Sequence, residues 1–224
     1  MASKRMNPVF LSASLPDPKR HAKYHSTADL MAIRECVRAL ATVVLPRTRL
    51  VFWGHPAITP LIRIVGERLG RISRIRMYQS AFFVTQFPED NERFSDVIVT
   101  RTVPGDREGS LRLMREEMIG SEVFAAGVFV GGMEGVEQEF EMFRSRQPDA
   151  RLLPVASTGA AARLVFNDMT IASSDPLMSK LASSRVYGAL FEELLGVRRS
   201  VGPKRTAARG APTKTARPKK RTRR

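Results

Sequence analysis

Six short apolar runs, most of them followed by a stretch of helical periodicity, constrain this chain more than any other feature. They are residues 7–14 (NPVFLSAS), 49–54 (RLVFWG), 74–79 (RIRMYQ), 96–100 (DVIVT), 125–130 (AAGVFV) and 151–157 (RLLPVAS). A strand with one wet face alternates apolar and polar residues, whereas runs apolar on both faces suit strands covered by helices on each side. The pattern therefore predicts an α/β fold built on a parallel sheet. In such sheets ligands bind beyond the carboxyl ends of the strands, where the chain turns into helices.

The intervening segments carry helix signals. Leu30, Ile33, Val37, Leu40 and Val44 recur at spacings of three and four behind candidate caps Thr27 and Asp29. A second helix is expected in HPAITPLIRIVGERLG, with Thr59 at the N-cap and Pro60 in the first turn. Further helices are expected at 110–119, after Gly135, from about Gly159, and around 184–195. Cys36, the single cysteine, falls within the first helical pattern, which suits a buried apolar role and a reducing compartment.

Composition matters chiefly through the distribution of charge. The 224 residues carry a formal charge of +15, but twelve of the 37 basic residues lie between Arg198 and Arg224, a segment without acids. That leaves 25 basic against 22 acidic residues in the preceding part, a balance of only +3. Residues 1–197 are thus expected to form one folded domain. Residues 198–224, with no aromatic and one aliphatic beyond alanine, are expected to be a disordered basic tail. The tail reads either as a sequence-independent contact for nucleic acid or as a solubilising terminus. No apolar stretch reaches the ~18 residues of a membrane span, and no secretory signal is legible, so the expectation is a cytoplasmic protein without membrane contact.

The strand ends hold the candidate site. Strand one ends in Ser12 and Ser14, strand two in Gly54 and His55, the fifth in Gly131 and Gly132, and the sixth in Ser157, Thr158 and Gly159. Glycines at a strand-to-helix turn permit positive φ and admit an anion to backbone N–H groups; the following helix adds its own unsatisfied donors. Phosphate is the anion that fits, and a merely tight loop is the competing reading. Glu139 lies about one helical turn beyond Gly135, whereas Glu134 and Glu137 read as solvated.

GGMEGVEQE, residues 131–139, is similar to the Pro-Gly-Gly-x-Gly-Thr-x-x-Glu signature of the LOG family of cytokinin-activating nucleotide hydrolases, with Val130 in the proline's place and Val136 in the threonine's. VFLSASLPDP, LVFWGHPAITPLI, LRLMREEM and GVFVGGMEGVEQEF, in that order from about Val9 to Leu195, resemble the third cluster of SLOG proteins, bacterial relatives of LOG. The resemblance implies a Rossmann-like fold and the sensing or processing of a nucleotide-derived ligand, often within antiviral or other conflict systems. It implies that Gly131, Gly132 and Gly135 form a phosphate loop and that Glu139 contacts the ribose. In an enzyme, Glu139 and Arg115 would be the catalytic pair. Arg112, on the same helical face, competes with Arg115 for that place, and an exposed helix arginine paired with Glu116 or another nearby acid is the structural alternative for each.

Two departures from the signature bear on function. Loss of the proline and threonine puts catalysis in more doubt than binding. Trp53 stands where relatives tend to carry a second glycine; it reads as a core cap in preference to a platform for a base. His55, between a strand and a helix N-terminus, reads equally as a ligand contact and as a structural histidine. The three histidines and one cysteine have no zinc-site spacing, no Gly-x-Ser-x-Gly elbow is present, and no cofactor is implied. The expected function is binding or sensing of a nucleotide or nucleotide derivative, with signalling to an effector protein encoded elsewhere. A hydrolase cleaving the N-glycosidic bond of nucleoside monophosphates and a nucleic-acid-associated protein acting through its tail are the alternatives. Association as a homodimer stays open.

Overall fold

A computed structural model describes residues 6–170 and 176–197. The basic tail lies outside these residues. Six strands form one parallel sheet: β1 (Val9–Ser14), β2 (Leu50–Trp53), β3 (Ile75–Ser80), β4 (Val97–Thr100), β5 (Ala126–Gly131) and β6 (Arg151–Pro154). Their order is β4-β3-β2-β1-β5-β6, and every pairing is parallel. All six strands coincide with the apolar runs picked out above, β3 and β5 each continuing one residue further, to Ser80 and Gly131.

The helices are α1 (Ala22–His25), α2 (Leu30–Val44), α3 (Thr59–Arg68), α4 (Arg107–Gly120), α5 (Glu134–Arg146), α6 (Ala160–Thr170), α7 (Pro176–Ser183) and α8 (Tyr187–Leu194). Strand pleating divides the core in two. Val9, Leu11, Val128 and Val130 face α2, α3 and α8, while Phe10, Val51 and Phe129 face α4, α5 and α6. Phe10 stacks on Phe143 of α5 with centroids 5.1 Å apart. Gly127 of β5 makes room for that ring, since a Cβ there would lie 2.7 Å from it. The chain thus has a parallel sheet with helices on both faces, a Rossmann-like arrangement.

Several local expectations are corrected. Leu30 is 42 % exposed, because the first residue of α2 projects away from the core that Ile33, Val37, Leu40 and Val44 enter. Asp29 alone caps α2, accepting from the Ala32 amide at 2.9 Å, while the Thr27 hydroxyl accepts from the Ala160 amide of α6. Ile58, not Thr59, is the N-cap of α3; Thr59 is the first helical residue and fully buried. The fourth helix starts three residues before its apolar pattern, because Asp106 accepts from the Gly109 amide at 2.8 Å. Cys36 is buried as expected, and burial raises its thiol pKa well above the usual value.

Topology locates the candidate crevice. From β1 the chain builds outward through β2 and β3 to β4, then crosses back to place β5 on the other side of β1. The connections after β1 and β5 consequently leave toward opposite faces, α2 on one and α5 on the other. A crevice at such a reversal is where open α/β sheets hold ligands.

Candidate functional site

Ser14 and Gly131 are register partners at the paired ends of β1 and β5, so the crevice opens directly above them. Gly131 and Gly132 adopt φ of +55° and +83°, which L side chains rarely reach. Their N–H groups turn inward: Gly131 donates to the Thr158 hydroxyl at 2.9 Å and Gly132 to the Ser14 carbonyl at 2.9 Å. These two amides lock the turn and are not free for an anion. The next three differ. Met133, Glu134 and Gly135, at the N-cap and first turn of α5, have no acceptor for their amides among the described residues.

These free donors adjoin a cleft of about 120 Å³ whose walls include Ser14, His55, Gly135 and Arg115, with Trp53 and Met133. Arg20 and Arg107 stand at its rim, each side chain about half exposed. A helix N-terminus and three guanidinium groups meet around one cleft, with Arg20 paired to Glu134, Arg107 to Glu108 and Arg115 to Glu139, so the unpaired amides are its uncompensated donors. Gly135 contributes by having no side chain, for a Cβ there would sit 3.1 Å from Arg115 Nη2.

Arg115 is 7 % exposed, whereas Arg112 is exposed. Its Nε lies 3.3 Å from Glu139 Oε1 and its Nη1 donates to Gln138 Oε1 at 2.8 Å. Glu116 pairs with Arg146 instead, at 3.7 Å. Glu139 is 1 % exposed and does not line the cleft. Burial pushes its carboxyl above the usual carboxylate range, against the opposing pull of Arg115 and the nearby Ser12 hydroxyl. Ser12 faces that carboxyl, yet neither Ser12 Oγ nor Glu139 Oε2 completes a hydrogen bond of good geometry.

His55 accepts the Ala57 amide on Nδ1 at 3.2 Å, which leaves its Nε2 to carry the proton in the neutral ring. Burial lowers its pKa to about 4, so that ring is neutral at physiological pH. Trp53, partly buried, packs edge to face against it with centroids 5.5 Å apart.

A sequence comparison decides the family once this geometry is in hand: the profile of the SLOG cluster3 family matches residues 23–195, most of the chain. The chain belongs to the SLOG cluster3 family. A comparison with curated proteins gives no match.

Within this SLOG domain the residues expected at the site divide by role. Ser14, His55, Gly135 and Arg115 meet around the cleft, while Glu139 and Ser12 lie buried beneath it. Gly131, Gly132 and Thr158 shape the turn. Gly159 has φ 74° and ψ −159°, and a Cβ on it would fall 1.8 Å from the Thr27 carbonyl oxygen. Its place is close packing against the start of α2. Gly54 similarly yields space, to the side chain of Gln79. Two residues separate Gly132 from Gly135, one more than in the LOG signature, which lengthens the turn by an amide.

Glu134 and Glu137 are not solvated as expected. Glu134 pairs with Arg20 at 3.5 Å and with His21 at 3.0 Å; Glu137 accepts from the Tyr24 hydroxyl at 2.8 Å. Together they tie the segment entering α1 to the first turn of α5. Arg20, Arg107 and Gln79 were not singled out from the sequence. The run AFFVTQF after β3 was the one available sign that an aromatic wall stands there. Among the described residues no group of three or more histidine, cysteine or carboxylate side chains converges as a metal site, and no helix is long and apolar enough to cross a membrane.

Proposed function

We propose that the protein binds a nucleotide or nucleotide-derived ligand in the cleft at the β1–β5 crevice and acts as a sensor of it. The carrying observation is the set of unpaired amides at Met133, Glu134 and Gly135, opening beside Arg115, Arg20 and Arg107. Phosphate suits this arrangement, since a helix N-terminus supplies directed N–H donors and guanidinium groups supply fixed charge. Membership of the SLOG cluster3 family supports the nucleotide class. The conflict-system setting and an effector that reads the bound state rest on the resemblance.

Binding is favoured over hydrolysis by the position of Glu139. Stabilising positive charge at a ribose requires a carboxylate beside the sugar, and here Arg115 engages that carboxylate outside the cleft lining. A raised carboxyl pKa in a buried site is nevertheless a mark of catalytic acids, which keeps the N-glycosidase as the second reading. Chromatography after long incubation with AMP, GMP, CMP and UMP separates the two: the sensor releases little or no free base, and rapid release, lost in Glu139→Gln, establishes the enzyme.

A thermal-shift screen of nucleotides, cyclic nucleotides and ADP-ribose derivatives tests binding itself, because a ligand specific to the folded state raises its apparent stability. At least one such ligand is expected to raise Tm. The double variant Arg20→Ala/Arg107→Ala, at half-exposed positions, is expected to diminish that shift while leaving the unliganded Tm nearly unchanged. Absence of any shift across the screen, or a shift indifferent to the double variant, contradicts the reading.

A further inference from the structure

A second cleft, of about 200 Å³, opens at the carboxyl ends of β2 and β3, and Trp53, His55 and Arg107 line it as they line the first. Gln79, Phe83 and Phe87 are among its remaining walls. Together the two clefts approach the lower end of the size of small-molecule sites, ~300 Å³. Phe83 sits in the 3-10 segment Ala81–Gln86, with the Arg107 guanidinium 5.7 Å from its ring centroid.

Gln79 makes this second cleft more than an apolar recess. Its side chain is 3 % exposed, and its Nε2 donates to the Gly54 carbonyl at 3.1 Å. A backbone carbonyl only accepts, so this bond fixes the amide's orientation and leaves Oε1 as the free end. No donor among the described residues meets that oxygen. The arrangement depends on Gly54, because a Cβ there would lie 2.1 Å from Gln79 Nε2. An oriented acceptor without a protein donor, on a side chain otherwise packed away from solvent and lining a cleft walled by Trp53 and Phe83, matches the edge and face of a planar heterocycle.

We propose that this second cleft seats the base of the ligand, with Gln79 Oε1 accepting an N–H from the base edge and the ring lying against Trp53 and Phe83. The inference rests on the anion cleft holding the phosphate, which then leaves the sugar at the shared wall of Trp53, His55 and Arg107. Aromatic faces hold any base, whereas an oriented acceptor rejects a base edge that offers no N–H. The site therefore selects a base bearing an N–H donor, such as an aminopurine.

Trp53 is the only tryptophan, so intrinsic fluorescence reports this cleft directly. The probes are AMP, purine riboside 5′-monophosphate, whose base has the same rings and no N–H donor, and ribose 5-phosphate. In the full chain AMP is expected to quench Trp53 and to bind about tenfold or more tightly than the purine riboside nucleotide, because the latter leaves Gln79 Oε1 unpaired. Ribose 5-phosphate is expected to bind without comparable quenching. Gln79→Met should abolish the discrimination between the two nucleotides. Phe83→Ala, at a partly exposed position, should weaken AMP and leave ribose 5-phosphate unchanged, and it decides the matter with the unmodified protein if Gln79→Met does not fold. Equal affinity for AMP and the purine riboside nucleotide in the unmodified protein, or equal quenching by ribose 5-phosphate and AMP, overturns the base site alone. Failure of all three probes to bind overturns both this site and the anion cleft.

Discussion

Gly159 shows what single residues contribute here. Its φ and ψ lie in a region that is essentially glycine-only, and a Cβ would collide with the Thr27 backbone, which cannot swing aside as a long side chain can. Gly159→Ala is expected to destabilise the protein by at least ~3 kcal/mol in urea titration. Gly105→Ala is the control: φ there is +70° but nothing lies within 4 Å, so only ~1 kcal/mol should be lost. His55 sets a pH dependence. Its folded pKa, about 4, is below the ordinary value of 6.5, so the folded state disfavours the proton. The stability this confers is fully present above about pH 6.5 and is lost as pH falls toward about 4, roughly 2–3 kcal/mol in all. In His55→Gln, whose side-chain oxygen can accept the Ala57 amide, that part of the pH profile should be flat. A variant with the parent's acid slope would place the titration elsewhere.

Elements were legible in the sequence wherever apolar periodicity set them, as the six strands and α2 show. Helix starts were less so, because they depend on which polar side chain happens to reach an amide. Thr27 and Asp29 are both good cap types, and only the tertiary position of Ala160 assigns the threonine elsewhere. Asp106 likewise extends α4 beyond its apolar face. Replacing it with alanine is expected to cost about 1 kcal/mol and to fray the first turn, which carries Arg107 into both clefts. Hydrogen exchange at Gly109 checks this, and unchanged protection would show the cap to be dispensable. The glycine-rich turn after β5 was readable as a candidate anion site, but which amides it leaves open was not: hydrogen bonding removes those of Gly131 and Gly132 and leaves the next three. Gln79 escaped notice because nothing in a lone glutamine after a strand reveals that a neighbouring carbonyl fixes its amide.

At the scale of the whole molecule, strand order decides where the crevice opens. Crossing back from β4 to β5 brings together residues more than a hundred positions apart in sequence, Ser14 and Gly131 among them. Charge is partitioned on the same scale, with a balance of +3 before Arg198 and twelve cations after Val197. If the tail engages nucleic acid, truncation after Val197 should weaken DNA and RNA binding and flatten its salt dependence, while nucleotide binding in the cleft persists. An unchanged salt slope would assign nucleic-acid contact to the folded part. The central claim, that the start of α5 is where an anionic nucleotide docks, is tested most directly by amide NMR during titration with AMP. The account predicts that the largest shifts fall on the amides of Met133, Glu134 and Gly135, whose donors are free, with smaller ones at Gly131 and Gly132, whose donors are already engaged. Shifts confined to the basic tail, or a saturating titration that leaves Met133–Gly135 unmoved, would contradict it.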